Sequence, residues 1–140
     1  MRLLNTVIYT DRLAEVRTFY ETNFYFPMDR TEPNSFGILP LPEAKITFVD
    51  AAATGMVPSQ NILLRLAIPY PALEHARLVA AGVSCSELAT EDWGSFYRQA
   101  VQCFTFTDPS GVRIQFFGSH FGEEKQSIPP NEDTGKVQSA

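Results

Sequence analysis

The feature that most constrains this chain is a doubling. A strand, a helix and then several short strands are written twice in succession, each run about 55–60 residues long, as expected of two repeated structural units. In the first run, Leu3 to Thr10 alternates, with Asn5, Val7 and Tyr9 on one face and Thr6, Ile8 and Thr10 on the other. Asp11 is the expected N-cap of a helix whose buried stripe is Leu13, Val16, Phe19, Tyr20 and Phe24, and Asn23 is its expected end. Short strands are expected at Phe26–Thr31, Ser35–Leu39 and Lys45–Asp50. Pro33-Asn34 and Pro40-Leu41-Pro42 supply the turns.

The second run begins near Ser59. Asn61 to Ile68 alternates, with Ile62, Leu64, Leu66 and Ile68 opposite Asn61, Leu63, Arg65 and Ala67. Pro71 suits the first turn of a helix that carries Leu73, Ala76, Arg77, Val79 and Ala80 at helical spacing and stops at Gly82. Strands are expected near Val83–Leu88, Gln99–Thr107 and Val112–Gly118. Asp108-Pro109-Ser110-Gly111 forms a tight turn between the last two. The expected plan is α+β: residues 1–57 form a first βαβββ module, 58–122 a second, and together they make one folded domain. Residues 123–140 hold four acids, two lysines and almost no large apolar side chain, so they are expected to be a mobile tail.

Composition limits the function classes. With 11 Lys+Arg against 16 Asp+Glu, there is no basic excess to neutralise nucleic-acid phosphates. Eleven Phe and five Tyr suffice for a core without disulfides. No apolar run reaches the roughly 7–15 residues of a secretory signal or the about 20 of a membrane span. Cys85 and Cys103 are the only cysteines and are expected to be reduced thiols of a cytoplasmic protein. No Gly-rich phosphate loop, nucleophile elbow or zinc-ligand spacing occurs.

Three stretches carry a family resemblance. Thr10-Asp11-Arg12-Leu13 leads into Phe19-Tyr20-Glu21-Thr22-Asn23-Phe24-Tyr25-Phe26, with Tyr25 at a position more often Gly. Leu78-Val79-Ala80-Ala81-Gly82-Val83 ends the second helix. Trp93-Gly94 precedes Phe106-Thr107-Asp108-Pro109-Ser110-Gly111-Val112-Arg113-Ile114-Gln115-Phe116. In that order, over residues 3–118, they resemble the vicinal-oxygen-chelate superfamily of glyoxalases, bleomycin-resistance proteins and extradiol dioxygenases. The resemblance implies a curled eight-stranded cleft built from the two tandem modules, a small-molecule ligand and a homodimer.

Enzymes of that superfamily set a divalent metal on four cleft residues, usually His, Glu or Gln. By the resemblance those positions fall here on Asn5, Thr47, Leu63 and Gln115, with Asn61 or Arg65 replacing Leu63 if the fifth strand is shifted. This set has no charge and one apolar member, and neutral amides ligate transition metals weakly. Both histidines, His75 and His120, fall elsewhere. No metal or other cofactor and no catalytic residue is expected.

The same cleft offers an organic-ligand site of scattered polar groups among apolar walls. Its expected members are Asn5, Tyr9, Thr47, Arg65, Trp93, Cys103, Gln115 and Phe117. A guanidinium at Arg65 would grip a carboxylate or phosphate bidentately; the alternative is a solvated arginine, or one paired with Asp50 or Glu43. Trp93, Phe96 and Tyr97 either stack on a ligand or pack an interface. Cys103 has no neighbouring base and reads as a small buried hydrophobe. The leading expectation is a metal-free small-molecule-binding protein. The alternatives are a metal-dependent lyase or dioxygenase with an atypical site, and a module whose tail or aromatic loop docks another protein.

Overall fold

In a computed structural model of the chain, residues 1, 5–29, 32–41, 44–93 and 100–119 are described. Leu3, Leu4, Thr31, Pro42, Glu43, Phe96, Tyr97, His120 and the tail at 123–140 lie outside the described residues. The elements run β1 (Asn5–Thr10), α1 (Leu13–Asn23), β2 (Ser35–Leu41), β3 (Ala44–Asp50), α2 (Ala51–Thr54), β4 (Leu63–Ala67), α3 (Pro71–Ala80), β5 (Ala89–Asp92), β6 (Ala100–Thr107) and β7 (Arg113–Gly118). The fold is α+β, with two open sheets ordered β1-β3-β2 and β4-β7-β6-β5. The chain divides into two compact units, Met1–Leu64 with Thr107–Arg113, and Arg65–Phe106 with Ile114–Ala140.

In the first unit, β1 pairs parallel to β3 and β2 pairs antiparallel to it. The alternation of β1 settles which face is inward. Ile8 and Thr10 are buried, whereas Asn5 and Val7 are exposed. Against the inner face packs α1, through Val16, Tyr20 and Phe24. Tyr20 lies tilted against Phe48 and Phe36 stacks on it, at 5.5 and 5.2 Å between ring centroids. Such aromatic pairs add to the free energy of simply removing their area from water.

The local signals differ from expectation in three places here. The N-cap of α1 is Arg12, without a side-chain cap; Thr10 Oγ1 instead accepts the Arg12 N–H at 3.0 Å. Among the described residues, the strand expected at Phe26–Thr31 is present only as a bridge from Met28 to Ile38, flanked by Asp29 N–H to Gly37 O and Leu39 N–H to Pro27 O. Pro27 has no N–H to extend that ladder. After β3 the chain makes the unanticipated single turn α2, whose N-cap Asp50 accepts from the N–H groups of Ala52 and Ala53. Gly55, at φ 71°, ends it in the left-handed conformation that glycine adopts without strain.

In the second unit, β6 and β7 form the centre of the sheet. One face carries Phe104, Phe106, Ile114 and Phe116, all buried. Phe116 meets Phe104 and Phe106 edge-on at 5.6 and 5.4 Å. Helix α3 starts at Pro71 and buries Pro71 and Leu78, while Leu73 and Val79 remain exposed. His75 lies edge-on to Phe104 at 4.9 Å, and its Nε2 is 2.9 Å from the Ser86 carbonyl. The strand expected at Val83–Leu88 is reduced to a bridge between Cys85 and Phe106, and pairing to β6 resumes as β5. The reason is local. Ser86 Oγ accepts the Thr105 N–H at 2.8 Å, so a side chain takes the place of a ladder partner.

Candidate functional site

The opposite face of the second sheet is where most of the expected ligand residues meet. Strand alternation puts Arg65 of β4, Gln115 and Phe117 of β7, and Val101 and Cys103 of β6 on it. Val101, Cys103 and Phe117 form a buried apolar cluster, and Trp93, just past the end of β5, packs against them. The indole lies 4.7 Å from the Phe117 ring, tilted by 40°.

Arg65 is held on two sides. Its Nε–H donates to Gln115 Oε1 at 2.8 Å, and its guanidinium carbon stands 4.8 Å from the centre of the Trp93 ring. The indole in turn donates from Nε1 to Glu91 Oε1 at 2.9 Å. Burial, and then the charge of Glu91, push the Cys103 thiol above its ordinary range, while Arg65 pulls the other way. Cys103 is 2% exposed and stays protonated at neutral pH.

Glu91 did not figure among the expected site residues. Its signal was present in the strand period. Two residues before Trp93, it falls on the same side of the chain, and it pairs with Val101 across β5 and β6.

The other three expected residues lie in the first unit. Thr47 Oγ1 donates to Asn5 Oδ1 at 2.9 Å, across the β1–β3 pairing. Tyr9 is half-buried, and Ser59 holds its backbone, the Tyr9 N–H donating to Ser59 Oγ at 2.9 Å. Depressions of about 480 and 340 Å³ open along α1, lined by residues such as Thr18, Phe19 and Thr22, and by Arg17, Glu21 and Asp50. None of the expected ligand residues lines either one.

The donor set that the fold resemblance assigns to a metal fits such an ion poorly. Leu63 has no donor atom. The Asn5 oxygen already accepts from Thr47, and the Gln115 oxygen already accepts from a cationic guanidinium. An amide oxygen held by Arg65 is a weak partner for a second cation. Among the described residues, no three His, Cys, Asp or Glu side chains gather where an ion could sit. No helix among them is long and apolar enough to cross a membrane.

Sequence comparison identifies no relatives: no family profile matches the chain, and no curated protein does. Structure comparison does. Lactoylglutathione lyase from Agrobacterium tumefaciens matches with a TM-score of 0.66 at 12% identity, covering 84% of this chain and 93% of that one. A glyoxalase/bleomycin resistance protein/dioxygenase from Nocardioides matches at 0.67 and 20% identity, covering 87% and 86%. TnmS3, an antibiotic binding protein from Streptomyces, matches at 0.63 and 19% identity, covering 86% and 97%. These likenesses agree with the resemblance read from the motifs at residues 3–118. The chain has the fold of the glyoxalase/bleomycin resistance/dioxygenase proteins.

Proposed function

We propose that the protein binds a small organic molecule on the Arg65 face of the second sheet, and does so without a metal. The observation that carries this reading is the arginine itself. A surface arginine ordinarily samples many rotamers, and ordering it on binding costs about 2 kcal/mol of side-chain entropy. Here Gln115 and Trp93 already hold the guanidinium, so much of that ordering is complete before a ligand arrives. The apolar ground beneath it, Val101, Cys103 and Phe117, keeps water from one side. A few oriented polar groups on an apolar floor are what a small-molecule site requires. TnmS3, described as an antibiotic binding protein, has the same fold.

A metal-dependent lyase or dioxygenase is the second reading, favoured by the match to lactoylglutathione lyase. Elemental analysis of the full-length, untagged protein separates the two. The first reading expects only substoichiometric metal, and one tightly held Ni, Zn, Fe or Mn per chain overturns it. A thermal-denaturation screen tests binding itself, because any ligand of the native state raises Tm. The proposal extends to a cytoplasmic homodimer. Sedimentation at several concentrations measures the association.

A further inference from the structure

Building on the small-molecule reading above, we infer that the ligand carries a carboxylate or phosphate group and that Nη1 and Nη2 of Arg65 receive it. A guanidinium has five N–H donors in one plane. One, on Nε, is committed to Gln115. Among the described residues, none accepts from the terminal nitrogens, and no acid forms an ion pair with Arg65. Among the described residues, the edge bearing Nη1 and Nη2 is open, and its parallel N–H groups match the two oxygens of an oxyanion.

The neighbours fix how that edge is presented. Gln115 holds the Nε end, and the guanidinium carbon stands 4.8 Å from the centre of the Trp93 ring. Both partners are neutral, so neither forms an ion pair with the guanidinium. Glu91 is the acid nearest in the network, and its carboxylate accepts from the Trp93 indole rather than from the guanidinium. A cationic ligand would meet only donors on this edge. A neutral carbonyl would accept one hydrogen bond without the charge.

The test uses the full-length protein and three small aromatic probes: benzoate, phenyl phosphate and the neutral benzamide, which matches benzoate in size. Trp93 is the chain's only tryptophan, so its emission reports on this site alone. At least one oxyanion is expected to saturate the signal about tenfold to a hundredfold more tightly than benzamide, the range of a charge-assisted hydrogen bond. A preference for benzoate assigns a carboxylate ligand, and a preference for phenyl phosphate assigns a phosphate ligand. By calorimetry, Arg65→Gln is expected to lose about tenfold or more, and Arg65→Lys to recover only part, since it restores charge without the fork.

Benzamide binding as tightly as both oxyanions overturns the inference, as does an unchanged oxyanion affinity in a folded Arg65→Gln variant. If that variant does not fold, the three-probe comparison on the unaltered protein still decides. If neither oxyanion binds but a neutral compound shifts Trp93 emission, the inference falls while the small-molecule reading stands. If nothing binds, both fall.

Discussion

The hydroxyl of Tyr20 donates a 2.7 Å hydrogen bond to Oδ2 of Asp108, which lies 88 residues further along the chain. Both residues are buried, at 2% and 3% exposure. The other carboxylate oxygen of Asp108 accepts from the N–H groups of Ser110 and Val112, so one side chain shapes the turn before β7 and ties it to α1. Tyr20→Phe removes only the donor and leaves a buried carboxylate oxygen short of a partner. A loss of about 1–3 kcal/mol in urea unfolding is expected, with the slope unchanged. A loss below a few tenths of a kcal/mol would contradict this role.

The same pair sets a pH dependence. Burial, reinforced by the charge of Asp108 and the hydrogen bond to it, raises the Tyr20 phenol well above its ordinary range. The folded chain therefore keeps this proton to higher pH than the unfolded chain, whose tyrosines titrate near about 10. The contribution of Tyr20 is intact below about pH 10 and declines as pH rises above it. The stability difference between the protein and Tyr20→Phe is expected to be constant from neutral pH to pH 9 and to shrink at more alkaline values. A difference that grows above pH 10 would reverse the sign and refute the assignment.

Gly118, at the end of β7, has an ordinary backbone conformation yet no room for a side chain. A Cβ there would stand 2.2 Å from the Ile68 carbonyl oxygen and 3.1 Å from Cδ of Pro71. The Ile68 N–H donates to the Phe117 carbonyl beside it, so the backbone has little freedom to yield. Gly118→Ala is expected to cost at least about 1–3 kcal/mol, the range of overpacking in a filled interior. Gly55→Ala, in open space at φ 71°, should cost only the about 1–2 kcal/mol of a left-handed residue. Equal urea midpoints for Gly118→Ala and the parent would show that the strand end relaxes freely.

The two cysteines should react in a set order. Burial raises the thiols of both Cys85 and Cys103, and Glu91 adds to the effect at Cys103. Cys85 is only partly buried, whereas Cys103 lies under Trp93. Under iodoacetamide at pH 8, mass spectrometry is expected to find Cys85 modified first. Trp93→Ala uncovers Cys103 and should speed its modification several-fold with Cys85 unchanged. Equal rates in the parent protein would mean that the indole does not cover the thiol.

The parts of the fold legible in the sequence were those governed by neighbours in the chain. The Asp108-Pro109-Ser110-Gly111 turn is closed by the Gly111 N–H on Asp108 O, with Gly111 at φ 92°. Pro71 opens α3, and Gly82, at φ 89°, follows its end. What was not legible depends on partners distant in sequence or on competing side-chain bonds. The strand expected at Val83–Leu88 gave way because Ser86 Oγ reaches Thr105. Asp11 was expected to cap α1, but the chain turns one residue later, where Thr10 holds Arg12. At the site, one strand face put Arg65 within reach of solvent, but nothing local could say that Gln115, 50 residues away, would fix it. Glu91 was visible as a charged residue near Trp93, and only the folded chain bonds it to the indole and brings its charge to bear on Cys103.

The central claim, that the Arg65–Trp93 face binds a small organic molecule, is tested most directly by the emission of Trp93 during titration of the full-length protein with a panel of small organic acids and neutral aromatics. The expected result is a saturable change with at least one compound, at one molecule per site, that is lost in Arg65→Gln. Trp93 emission that no compound alters at millimolar concentration, in a protein whose emission still shifts on unfolding in urea, would contradict it.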